Sequence, residues 1–194
     1  DKPATDQDLH LLVVSTHAGL TPQESLEQNV TNLFESPKTG VDGPFNKVFP
    51  ALTRIGPNIA SSDIMGAFYF LSLQMRESEA ANKVILFYFE GEEVRDDHGQ
   101  FGLMTYDVGD LYFEYEDLIC SSWLAEQFER MPGAHLVMLD VQSHPASVSG
   151  RHCAGDPNIP SLGVLRLEST AAQEDVADDK QAIGRGFRLL RQLK

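Results

Sequence analysis

The sequence predicts an α/β domain with a mainly parallel central sheet and helices on both of its faces. Short apolar segments rich in β-branched residues alternate along the chain with segments whose apolar residues recur at helical spacing, and this alternation is typical of β-α-β units. The 194 residues are 42% hydrophobic and 23% charged, ordinary values for a chain that buries one sizeable core. We therefore expect a single domain over residues 1–194, with residues 1–8 as a frayed polar tail.

The first predicted elements are a strand, a helix and an edge strand. Leu9–Val14 is a nearly continuous apolar run, the pattern of a strand that is covered on both faces. A capping box at Thr21–Glu24, with Pro22 at the first helical position, begins a helix. Phe45–Leu52 predicts a weaker strand, which Pro50 favours at the edge of a sheet.

A second helix and the strongest strand follow. Ser61–Asp63 supply a helix cap, and the apolar residues after it share one helix face: Ile64, Phe68, Leu71 and Met75. Val84–Phe89 is the strongest strand of the chain, and a turn at Asp97–Gly99 precedes the apolar segment Phe101–Met104.

The second half of the chain repeats the alternation. A helix is predicted around Trp123–Phe128, followed by a central strand at His135–Val141. A further strand at Leu162–Leu167 and a basic amphipathic helix at Ile183–Leu193 complete the pattern.

Composition excludes several classes of function. A net charge of −14 counts against nucleic acid as the main partner, because phosphate binding depends on Lys and Arg. No apolar run reaches the roughly 20 residues that span a bilayer, and no glycine-rich phosphate loop occurs, so we expect no membrane partner and no cofactor. The only cysteines, Cys120 and Cys153, favour a reducing, cytoplasmic compartment, although the sequence leaves open whether they bridge. The chain starts at Asp1 without Met or an apolar leader, so this sequence shows no signal peptide, and we expect it to be a piece of a longer polypeptide.

Polar motifs follow the two strongest strands. Glu90-Gly91-Glu92-Glu93 comes directly after Val84–Phe89, and Asp140-Val141-Gln142-Ser143 ends the later central strand. Together with Leu103-Met104-Thr105-Tyr106-Asp107, they resemble the caspase-like cysteine peptidases, especially bacterial metacaspase-type domains. In that family the corresponding segments read Ser-Gly-His-Gly, Asp-Ala-Cys-His-Ser-Gly and Leu-Leu-Pro-Tyr-Asp. The resemblance implies the three-layer caspase-like fold, a mainly parallel sheet between two layers of helices.

The resemblance also places the family's histidine at Glu92 and its cysteine at Gln142. A thiolate nucleophile needs a neighbouring imidazole to activate it and to protonate the leaving amine, and this chain has neither group at these positions. The resemblance therefore implies a catalytically inactive domain that acts in protein–protein interaction or scaffolding. Its partner would be another protein or another domain of the same chain. The acidic stretch 90–117 and the basic segment 180–194 would steer such contacts, unless they are simply solvated faces.

Three alternatives stay open. A displaced nucleophile, Cys153 beside His152, would make the chain a cysteine endopeptidase, whereas Cys120 fits a small apolar core residue. Asp140, with Gly91, would hold a basic peptide, as the resemblance to basic-specific members implies, or Asp140 would only accept backbone N–H bonds at a strand end. The third alternative is a calcium site, as in several family members, which would use hard carboxylate oxygens. A solvated acidic hairpin also explains why these carboxylates cluster in the sequence. No EF-hand or zinc-ligand spacing occurs. The calcium candidates are Glu90, Glu93, Asp96 and Asp97.

Overall fold

The computed structural model describes residues 7–16, 45, 47–79, 81–95, 100–106, 118–145, 153 and 164–168. Within these residues the chain is mixed α/β, as the sequence predicts. The strands are β1 (Gln7–Ser15), β2 (Lys47–Val48), β3 (Leu52–Ile55), β4 (Asn82–Arg95), β5 (Phe101–Leu103), β6 (Ile119–Cys120), β7 (Ala134–Pro145) and β8 (Val164–Glu168). The helices are α1 (Ser61–Glu77) and α2 (Ser121–Glu129).

These strands form one open, mainly parallel sheet. The central strand β4 pairs in parallel with β1 on one side and with β7 on the other, while β7 pairs with β8, and β1 with the short β2 and β3. β4 and β7 stay in register from Val84 opposite Ala134 to Arg95 opposite Pro145. Because β7 occupies one side of β4 over this whole length, the antiparallel β5 pairs with Glu93–Arg95 on the other side, beyond the end of β1. The short β6 pairs with β5 in antiparallel orientation.

Helix α1 covers one face of the sheet because its apolar residues form a single stripe. The buried residues of α1 are Ile64, Ala67, Phe68, Leu71 and Met75, and they include every residue that the sequence assigned to this face. They pack on alternate residues of β4 in the main core: Ile85, Phe87 and Phe89. Phe68 is central to this core, with its ring centroid 5.2 Å from that of Trp123 and 5.5 Å from that of Phe128, both in α2.

A second apolar cluster lies on the opposite face of the sheet. Its buried members are Leu9, Leu11, Val13, Leu86, Tyr88 and Met138, and Phe45, Val48, Ala51 and Ile55 pack against them. The helices predicted from Thr21 and over Ile183–Leu193 lie outside the described residues. The prediction of helices is thus confirmed for the face under α1 and α2, and stays a prediction for this one.

Three boundaries differ from the sequence prediction. β1 already begins at Gln7, and Asp8 is buried, so the predicted tail is wrong for these two residues, which pair with β4. The predicted strand at 45–52 is divided into β2 and β3 around Pro50, which has no N–H for pairing. The acidic residues after Phe89 extend β4 as far as Arg95, because β7 pairs with all of them.

Candidate functional site

The candidate site lies in the carboxyl-terminal halves of β4 and β7, towards the edge where open parallel sheets bind ligands. In the unbroken register of these strands, Glu92 lies opposite Gln142 and Glu90 lies opposite Asp140. The two positions that the resemblance assigns to histidine and cysteine are therefore cross-strand neighbours. Only the structure shows this, because the two motifs lie far apart along the chain.

Alternation along the strands divides the acidic motif between the two faces of the sheet. Opposed residues of parallel strands share a face, and successive residues change face. Since Phe87 and Phe89 lie in the core under the helices, the positions of the opposite face are Tyr88, Glu90, Glu92, Asp140 and Gln142. Glu93 and Ser143 belong to the helix-covered face. The motif therefore does not form a single carboxylate cluster.

A buried tyrosine contacts Asp140. Tyr88 is 1% exposed, and its hydroxyl donates to Asp140 Oδ2 at 3.3 Å. Burial, followed by the charges of Asp140 and Glu90, raises the pKa of Tyr88 well above its usual value, so the phenol remains a donor at physiological pH. The half-buried Asp140 carboxylate, in the carboxyl-terminal half of β7, is thus held by its contact with the Tyr88 hydroxyl.

Glu93 joins the two strands on the other face. Its side chain is 0% exposed, and Ser143 Oγ donates to Glu93 Oε1 at 2.7 Å. These residues lie opposite each other in β4 and β7, so the bond links the two strands near their carboxyl ends. Glu90 is also buried, at 6% exposed. The expectation of a solvated acidic hairpin is therefore wrong for Glu90 and Glu93, because both lie inside a paired strand.

The arrangement limits which residues could share a calcium ion. Glu90 and Glu93 belong to opposite faces of β4, so they would not coordinate the same ion, and Asp96 and Asp97 lie outside the described residues. In the part of the chain that the structure describes, no three His, Cys, Asp or Glu side chains are grouped as a metal site. A calcium site remains a prediction for the acidic stretch.

Gly91, a candidate pocket residue, has a packing role that the sequence did not indicate. A Cβ atom at this position would overlap Thr16 Oγ1 and lie 3.0 Å from the ring of Phe89. The N–H of Thr16 donates to the carbonyl of Glu90 at 3.0 Å. Because Gly91 has no side chain, Thr16, the residue that follows β1, can pack directly against β4.

Both cysteines belong to one disulfide. The Cα atoms of Cys120 and Cys153 are 5.6 Å apart with their sulfurs bonded, so neither cysteine is free. The structure contradicts Cys153 as a displaced nucleophile, because a disulfide sulfur is not a thiolate. It also corrects the interpretation of Cys120 as a plain core residue. The bond counts against the expected reducing compartment, since disulfides persist mainly in oxidising ones.

The described histidine side chains lie away from the site. His10 is buried near the amino end of β1, and His135 contacts Met131 O at 2.9 Å near the start of β7. His152, the partner considered for a displaced nucleophile, lies outside the described residues. The described imidazoles are therefore at the opposite end of the strands from Glu92.

Sequence reasoning missed three residues that shape the site. Tyr88 had a signal, because it precedes Glu90 by two residues and strand alternation places both on one face. Ser143 and Thr16 had none, since the groups that they contact lie on another strand.

No family model matches this chain, and a search of curated proteins finds no match either. The resemblance to caspase-like peptidases therefore depends on the motifs quoted above. Among the described residues, no helix is both long and apolar enough to cross a membrane.

Proposed function

We propose that this chain is a catalytically inactive relative of the caspase-like cysteine peptidases, with their three-layer fold, and that it binds a protein partner at the carboxyl edge of its sheet. The observation that carries the proposal is the register that pairs Glu92 with Gln142. The motifs selected these two positions without reference to strand pairing. Their meeting at one level of neighbouring strands is what a peptidase dyad would require, and it supports the alignment of both motifs.

The residues at these positions cannot perform the family's reaction. Peptide cleavage there needs a thiolate to attack the carbonyl and an imidazole to protonate the leaving amine. The amide of Gln142 is not a nucleophile, and Glu92 has no thiol beside it to activate. The disulfide of Cys120 and Cys153 supports the same conclusion, because it removes the only sulfurs that could have replaced the missing one.

What the edge retains is negative charge in a fixed position. Glu90 and Asp140 lie opposite each other on one face, and Tyr88 contacts the Asp140 carboxylate. A Lys or Arg side chain of a partner would form charge-assisted hydrogen bonds there. We therefore propose a basic segment of another protein, or of another domain, as the ligand.

Peptidase assays test the loss of catalysis. We expect no cleavage by the wild-type domain of fluorogenic peptides ending in Arg, Lys or Asp, with or without calcium and reductant. The variant E92H/Q142C restores both groups in register and is expected to gain thiol-dependent cleavage, with E92H/Q142A as its matched control. Wild-type cleavage that disappears in C153A would overturn the proposal in favour of a displaced nucleophile.

A binding assay tests the retained edge. Fluorescence anisotropy with a labelled Arg-ending peptide should show binding to the wild type, weakened about 10- to 100-fold by D140N, the range of a lost charge-assisted hydrogen bond. The control E126Q removes the same charge from an exposed position on α2 and is expected to leave the affinity unchanged. Equal weakening by both variants would show that only the net charge matters.

A further inference from the structure

A buried polar cluster lies at the other end of the sheet, where β1 begins. Asp8 is 3% exposed and His10 is 0% exposed. Ser78 Oγ donates to Asp8 Oδ2 at 2.8 Å, but Asp8 Oδ1 and His10 Nε2 are buried and have no hydrogen-bond partner among the residues that the structure describes. Such orphaned atoms are rare in folded proteins, since each costs the free energy of its lost hydration.

The hydrogen bonds around His10 define its tautomer. Gln74 Nε2 donates to the carbonyl of Pro50 at 2.9 Å, which directs Gln74 Oε1 to His10 Nδ1, 3.2 Å away. An amide oxygen only accepts, so Nδ1 carries the ring proton and Nε2 of the neutral ring is an acceptor. Asp8 Oδ1 is also an acceptor. Both orphaned atoms therefore need a proton donor.

The charges around His10 come from three strands. Asp8, on the same face of β1, favours a proton on the imidazole, whereas Lys47 of β2 and Lys83 of β4 oppose it. Both lysines lie opposite Asp8 in the sheet register. The ring also stacks on Phe49, with centroids 4.4 Å apart. Burial is the largest influence, and it lowers the pKa of His10 below the usual 6.5.

The cluster is also where β1 meets the end of α1. Gln74 is in the last turn of α1, and Ser78 is the residue that caps it. Their side chains bond to His10 and Asp8 respectively. A change of charge at His10 therefore alters the contact between β1 and α1.

We propose that Asp8 and His10 form a buried proton-binding site that takes up one proton from solvent at His10 Nε2 in weak acid and thereby weakens the packing of β1 against α1. Proton uptake converts His10 Nε2 from an acceptor into a donor. Asp8 Oδ1 then accepts a hydrogen bond from it, directly or through a water molecule. The new charge lies in the core, next to Phe49. Since the unfolded chain binds this proton more readily than the folded one, the free energy of unfolding decreases as the pH falls below 6.5.

Histidine-labelled nitrogen NMR of the wild-type protein tests the site directly. At about pH 7.5 we expect His10 as the neutral Nδ1–H tautomer, with a protonation midpoint below the unfolded value of 6.5. D8N removes the charge that favours the proton and should lower this midpoint further. An Nε2–H tautomer, or a wild-type midpoint above the unfolded value, would overturn the proposal.

Thermal unfolding tests the consequence for stability. Between about pH 7.5 and pH 5.5, the Tm of the wild type should fall further than that of H10Q, by about 3–5 °C for each unit by which burial separates the two pKa values. The matched control H135Q, at a half-buried histidine near the start of β7, should fall as far as the wild type. An H10Q variant with the full wild-type loss would disprove the link, and if H10Q does not fold, the wild-type NMR titration decides.

Discussion

Removal of the disulfide provides the sharpest test of the structure. The variant C120A/C153A is expected to lose about 3.7 kcal/mol of the free energy of unfolding. The bond joins residues that are 33 apart, and releasing a loop of that length returns about 12.5 cal/mol/K to the unfolded chain, or about 3.7 kcal/mol at 25 °C. For a chain of this size, the loss corresponds to a fall in Tm of about 7–15 °C.

Urea unfolding monitored by fluorescence of Trp123, the single tryptophan, measures this loss, because its ring packs on Phe68. Wild-type protein in reductant should unfold near the midpoint of C120A/C153A, while reductant should leave the variant unchanged. Thiol titration of denatured wild type, purified without reductant, should find no free thiol. Two reactive thiols, or identical midpoints for oxidised wild type and variant, would refute the reasoning.

Three further substitutions test the packing by urea unfolding. In G102A the added Cβ would lie 2.8 Å from Cys153 Sγ, so we expect a loss of about 1–3 kcal/mol, and a smaller loss when the disulfide is absent. F68A opens the centre of the core between the two helices and should cost about 3–5 kcal/mol; a loss below about 1 kcal/mol would contradict its central position. G66A should gain about 0.5–1 kcal/mol, because its Cβ meets nothing within 4 Å on α1, and a loss would show that this helix surface is covered.

The local sequence pattern predicts those parts of the fold whose own residues are apolar enough to favour burial. Leu9–Val14 and Val84–Phe89 form strands because continuous β-branched and aromatic runs suit burial on both faces. The apolar stripe of α1 is also predictable from local sequence, because residues three and four apart share one helix face.

The end of β4 was not predictable in this way. Glu90 and Glu93 by themselves favour solvent, yet both are buried, because pairing with β7 satisfies their backbone and Ser143 donates to Glu93. The disulfide was equally hidden. A spacing along the chain does not reveal whether two Cα atoms lie within bridging distance.

The amino-acid sequence by itself determined the main strands β1, β4 and β7, the apolar stripe of α1, and the absence of a thiol and an imidazole at Gln142 and Glu92. Only the tertiary structure decided that these two positions lie side by side, that the cysteines are joined, and that Asp8 and His10 are buried together. The physical reason is that helix and strand periodicity is a property of neighbouring residues, whereas register, burial of charge and covalent bridging depend on residues that folding alone brings into contact.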